Sequence, residues 1–94
     1  MTAPTQPPAQ RPSLGRIVIL RGLYAKGNGA MECPAVITRV WNDDMINVTA
    51  FPDCKSPQPV TSVFLVADAA AADEHAGQTS RPQDASVAYW PPRV

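Results

Sequence analysis

Residues 35–51 read Ala35-Val36-Ile37-Thr38-Arg39-Val40-Trp41-Asn42-Asp43-Asp44-Met45-Ile46-Asn47-Val48-Thr49-Ala50-Phe51. Two β-branched runs flank Asn42-Asp43-Asp44, whose short polar side chains bond to nearby backbone and favour turns. This is the pattern of a tight β-hairpin, and Pro52 ends its second strand because proline has no N–H to give to a ladder. Side chains alternate across a strand, so register decides which face is buried. Placing Val40 opposite Ile46 puts Thr38 opposite Val48 and Val36 opposite Ala50. That stripe is mostly apolar and is expected to face the core. The other stripe carries Ile37, Arg39, Trp41, Met45, Asn47 and Thr49, and is expected to be partly exposed.

Outward from the hairpin, Arg16 to Arg21 is rich in β-branched residues and bounded by Gly15 and Gly22, which reads as a first strand. Leu23 to Glu32 holds the turn cluster Lys26-Gly27-Asn28-Gly29 and reads as a long loop. Pro59 to Val66 is a fourth strand, and Ser86 to Trp90 a fifth, stopped by Pro91-Pro92. Residues 67–85 form a long Ala-rich loop. Ala69 to Ala72 is able to make a helical turn or two with Asp68 as its cap, while Gly77 and Pro82 limit its length. Five short strands, a long first loop and a tight central hairpin predict an all-β fold, a small five-stranded SH3-like barrel. An OB-fold would need a longer, coiled first strand and a helix before its last strands.

The barrel domain is expected over residues 13–94. Residues 1–12 form an extended Pro-rich arm, because Pro4, Pro7, Pro8 and Pro12 fix φ and remove donors. Pro4-Thr5-Gln6-Pro7 fits a PxxP ligand pattern, a match that comes cheaply in such a tail.

The chain has 94 residues, with 8 Lys and Arg against 8 Asp and Glu. That size allows one small domain and excludes a two-domain enzyme with an interdomain cleft. No apolar run approaches the roughly 18 residues of a membrane-spanning helix, and residues 1–12 lack the apolar stretch of a secretory leader. Zero net charge argues against a dedicated nucleic-acid binder, which gains affinity by neutralising phosphates. The charges are nevertheless segregated. Residues 1–39 hold five cations against Glu32 alone, and residues 40–94 hold three cations against seven carboxylates. Such a split suits a protein that meets copies of itself or a mosaic partner; chance segregation of solvated charge explains it equally well.

No residue pattern names a catalytic chemistry. His75, the single histidine, lies in the polar loop with nothing to place it beside Cys33 or Cys54 as a nucleophile pair. Asp43-Asp44 and Asp73-Glu74 read as solvated turn and loop charges. Two cysteines and one histidine fall short of a zinc site, so neither metal nor cofactor is expected. The Lys26-Gly27-Asn28-Gly29 loop lacks a phosphate-cradling pattern. A strand followed by such a loop also opens RNA-binding KOW-type segments, in which Arg21, Lys26 and Arg39 would meet phosphates and Tyr24 would stack on a base. Ordinary turn and surface charge is the competing reading. Cys33 and Cys54 flank the open end of the hairpin, which leaves three states open: an intrachain disulfide, bridges between chains, or free thiols.

Several blocks recur in fixed order: Gly15-Arg16-Ile17-Val18, Pro34 to Trp41, Ile46 to Asp53, Pro59 to Val63, and Tyr89-Trp90-Pro91-Pro92-Arg93-Val94. The series resembles small proteins of tailed phages and prophages, labelled hypothetical or minor structural, over residues 15–66 and 86–94. The sequence departs from that family in two places. An Ala-rich insertion fills residues 67–85, and the family's closing Trp-x-Trp-Pro has Ala88 or Tyr89 where its first tryptophan stands. The resemblance implies a phage origin and a virion component, made in the bacterial cytoplasm. The expected function is that of a non-enzymatic structural protein, a head decoration or minor capsid protein before a tail or connector part. Its partners would be capsid or other virion proteins or copies of itself, without membrane, small-molecule substrate or nucleic acid. Expected contact residues are Pro7, Pro8, Arg11 and Pro12 of the arm and Tyr24, Tyr89 and Trp90, since aromatic and Arg side chains are common interface anchors. Closure of the barrel core is the competing role for Trp90. The alternative function is a free regulatory module binding nucleic acid or a host protein.

Overall fold

The computed structural model describes residues 11–77 and 86–92. Its strands are β1 (Ile17–Arg21), β2 (Glu32–Asn42), β3 (Met45–Ala50), β4 (Gln58–Val66) and β5 (Val87–Tyr89). They close into a barrel in the order β1-β2-β3-β4-β5, with β5 returning to β1. The fold is thus a small all-β barrel, consistent with an SH3-like one. A ring of five strands cannot alternate in direction throughout, so one neighbouring pair must run parallel. That pair is β4 with β5. A parallel pair needs a crossover rather than a hairpin, and the Ala-rich segment after β4 begins that crossover.

The crossover opens with a helix, α1 (Ala69–Gly77), longer than the turn or two expected from four alanines. Asp68 caps it as expected: its Oδ1 accepts a hydrogen bond from the Ala71 N–H at 2.9 Å. The helix lies over the outside of β5, where Ala72, Val87 and Tyr89 form a small second core with Ile19, Val66 and Ala69 against it. Residues 78–85 of the expected loop and 1–10 of the expected arm lie outside the described residues.

The main core fills the barrel with Val18, Leu20, Ile37, Ile46, Val48 and Val63, all essentially without solvent contact. Each such side chain contributes about 1.5–3 kcal/mol through burial. The hairpin register corrects the sequence expectation. Val40 does face Ile46 and Arg39 faces Asn47, but beyond them Ile37 faces Val48, Val36 faces Thr49 and Ala35 faces Ala50. Thr38 is an extra residue on β2, a bulge that shifts the pairing by one. The inward set on β2 is therefore Ala35 and Ile37, with Val36 and Thr38 turned outward.

The β1–β2 loop carries one turn of 3-10 helix, Leu23–Ala25, then a miniature hairpin in which Gly27 and Ala30 bridge. Asn28 and Gly29 sit between them at φ 49° and 85°. Two successive positive φ values make a type I′ turn, for which Asn-Gly is the favoured pair.

Candidate functional site: the outer face of the central hairpin

The β2–β3 hairpin outruns β1, while β4 follows it to the turn, where the Leu65 N–H bonds the Asp44 carbonyl at 2.8 Å. The last contact on the β1 side of β2 is at Ile37, whose N–H and carbonyl bond Arg16 and Gly15 at 2.9 Å. Past that point, among the described residues, β2 is flanked by β3 alone. The turn closes with Asn42, whose Oδ1 accepts a hydrogen bond from the Asp44 N–H at 2.8 Å, the local bonding anticipated from the sequence.

Three irregularities meet on this hairpin's outer face. Thr38 and Trp41 are extra residues on β2, and the β3–β4 pairing slips between Ile46 and Val48. The last slip leaves Ser62 of β4 at φ 57°, with its N–H turned from the ladder to Asn47 Oδ1 at 2.9 Å. The same oxygen accepts a hydrogen bond from the Trp41 indole Nε1 at 2.9 Å. The Arg39 guanidinium lies over the Trp41 ring, 4.0 Å from its centroid, a cation–π contact that an exposed site holds at about 0.5–1 kcal/mol. Bulges commonly re-aim a side chain. Here they present an indole that is 52% exposed yet fixed at its edge and on one face.

Above Trp41, the outer face of the sheet stays apolar. Ile17 is 56% exposed and pairs across the strands with Val36, which pairs with Thr49 and then Pro59. Phe51 bonds Pro34 through its N–H, at 2.9 Å, and is also exposed. Glu32 is the sole carboxylate on this outer face of β1 to β4, and it is occupied. Its Oε2 accepts hydrogen bonds from Arg21 Nε and, at 2.8 Å, from the Tyr89 hydroxyl. Arg21 also pairs with Asp73 of α1 and lies over the Tyr89 ring.

The contact residues expected from the sequence fare unevenly. Arg11 and Tyr24 are exposed, and Pro7 and Pro8 lie outside the described residues. Pro12 is buried. Tyr89 and Trp90 are 7% and 6% exposed, which removes both as surface anchors. Tyr89 is covered by α1, and Trp90 closes the barrel core with the Arg16 guanidinium 5.0 Å from its ring. The residues of the RNA reading are not brought together either. Arg21 is held by two carboxylates, and Arg39 sits toward the turn end of β2 while Tyr24 is in the loop beyond its other end. Of the three states left open for them, Cys33 and Cys54 stand as free thiols in the structure. Cys33 points into the barrel, where burial raises its pKa, and Cys54 is exposed in the β3–β4 turn. His75 stacks on Phe64 with centroids 5.0 Å apart.

Sequence reasoning left Trp41 on a mixed stripe and passed over it as a contact residue. The available signal was Arg39-x-Trp41 on one strand with Asn47 facing it across the turn. No known protein family, curated protein or solved structure matches the chain.

Proposed function

We propose that the chain is a non-enzymatic structural component of a tailed-phage particle, a head decoration or minor capsid protein that docks on other proteins through the outer face of its barrel. The phage setting comes from the sequence resemblance. The observation that carries the docking role is Trp41, a large aromatic left half in water yet held in one orientation by Asn47 and Arg39. An anchor already ordered loses little side-chain entropy on binding, and Trp and Arg dominate interface energetics. The apolar row of Ile17 and Val36 extends the contact beyond one residue. Arg11, Tyr24 and the Pro-rich arm remain further contacts in this reading.

Particles purified on density gradients and analysed by mass spectrometry test it. Peptides of this chain should band with the particles, and Trp41→Ser should reduce incorporation several-fold in competition with the unaltered chain. Absence from particles, with presence in the infected-cell lysate, refutes the structural role. Micromolar binding to RNA or DNA at about 150 mM salt, with a steep salt slope, would support a regulatory module instead.

A further inference from the structure

We propose that two copies of this chain pair about a two-fold axis through their β2–β3 hairpins, with Trp41 at the axis and Arg39 of each copy meeting Asp43 and Asp44 of the other. The inference does not rest on the phage assignment. A two-fold interface uses the same patch on both partners, so the patch must contain its own complement. This hairpin does. Arg39 stands two residues before Trp41 and Asp43 two residues after it. Arg39 lies on the strand with its guanidinium over the indole, and Asp43 lies in the turn on the tip side of it. A two-fold axis at Trp41 reverses the strand direction and carries Arg39 of one copy onto the turn of the next. Among the described residues Arg39, Asp43 and Asp44 form no ion pair, and all three are exposed. In a single copy Arg39 rests on the Trp41 ring and the two carboxylates face water; in the pair the opposite charges meet.

The surroundings favour the same geometry. Past Ile37 the hairpin stands clear of β1, which leaves this edge of its outer face open to a second copy. Leu14 is exposed next to Gly15, whose N–H bonds the Ile37 carbonyl, and it adds apolar surface beside the hairpin. Two hairpin faces cover less than the ~800 Å² per partner of a standard interface, which places the pair among weak, transient complexes.

Sedimentation equilibrium of the full chain from about 1 μM to about 1 mM tests the proposal. The expected result is a monomer–dimer equilibrium that weakens with salt. Trp41→Ser should abolish it. Arg39→Asp should weaken it at least tenfold, and so should Asp43→Arg with Asp44→Arg, each variant keeping the native circular dichroism spectrum and melting temperature. Mixing the Arg39→Asp chain with the Asp43→Arg/Asp44→Arg chain should restore a dimer of one copy each, because both contacts then join opposite charges. A chain that stays monomeric throughout the range overturns the proposal, as does a dimer indifferent to Trp41→Ser or a mixture that is not restored. A monomer whose Trp41→Ser form nonetheless fails to enter particles would overturn the pairing and leave the particle role standing.

Discussion

Gly27→Ala should destabilise the barrel through a collision between two loops. A Cβ built on Gly27 lies 2.4 Å from the carbonyl oxygen and 2.8 Å from the backbone nitrogen of Asp53. Side-chain carbons keep at least 3.0 Å from such atoms, so the β1–β2 loop and the β3–β4 turn must separate by about 0.6 Å. The obstacle is backbone, which cannot swing away as the tip of a side chain does. Overpacking of this kind costs about 1–3 kcal/mol. Separation also strains the Asn28 Nδ2 bond to Asp53 Oδ2, 3.1 Å long, which is worth about 0.5–1 kcal/mol at an exposed site. The expected loss is therefore about 2–3 kcal/mol, which lowers Tm by roughly 10–20 °C in a domain of this size. Gly29→Ala is the control. Its Cβ meets nothing within 4 Å, but φ is +85°, so the cost is conformational alone, about 1 kcal/mol. Urea unfolding followed by tryptophan fluorescence measures both. A Gly27→Ala chain within about 0.5 kcal/mol of the unaltered one, or less affected than Gly29→Ala, refutes the reasoning.

Ile46→Ala opens a cavity in the barrel centre and should cost about 3 kcal/mol by the same urea assay, with no change in overall secondary structure by circular dichroism. Arg21→Met removes the tie between β1 and Asp73 of α1. Amide exchange over Ala69–Gly77 should accelerate about tenfold, while global stability falls by only about 1 kcal/mol, because the pair is partly exposed. Burial, then the Glu32 contact, raises the Tyr89 phenol pKa from its ordinary 10.0, and burial raises the Cys33 thiol from 9.0. Both groups bind their proton more tightly in the folded chain, so their contribution is complete below pH 9 and is lost as pH climbs through the raised values. Thermal melts between pH 8 and pH 11.5 should show Tm falling from about pH 9 upward, and Tyr89→Phe should flatten the upper part of that fall.

The strands were legible because β-branched runs were interrupted by strong turn formers, and all five were placed to within a few residues. The register of the central hairpin was legible at Val40–Ile46 and Arg39–Asn47 and no further from the turn. Alternation carries a register outward from one pair, and a single extra residue at Thr38 reverses every assignment beyond it. Nothing in Ile37-Thr38-Arg39 marks a bulge, since all three residue types suit a strand. The burial of Tyr89 was hidden for a different reason. Its cover is α1, whose alanines carry no apolar stripe to announce a packing face, and whose position follows from the parallel closure of the barrel. Trp41 was misjudged through the same dependence on distant chain, because the oxygen that orients it is fixed by a backbone N–H in β4, 15 residues beyond Asn47.

The parity of the ring bears on how the chain could be rewired. β1 runs away from the hairpin tip and β5 runs back toward it, so the chain enters β1 and leaves β5 at one end of the barrel, where Arg16 meets Trp90 at 5.0 Å. A circular permutant that joins these ends and is cut within the connection between β4 and β5 would start on β5 and proceed through β1, β2, β3 and β4. Every bonded neighbour would then follow its predecessor through a short link, and the parallel seam would lie between the first and last strands without a crossover. That order exchanges one long-range pairing for another: β1 with β5 becomes local, while β4 with β5 becomes the most distant pair in the chain, and folding rates follow the mean of such separations. The permutant should therefore reach the same barrel without folding faster than its parent, with closure moved from the β1–β5 seam to the parallel β4–β5 seam.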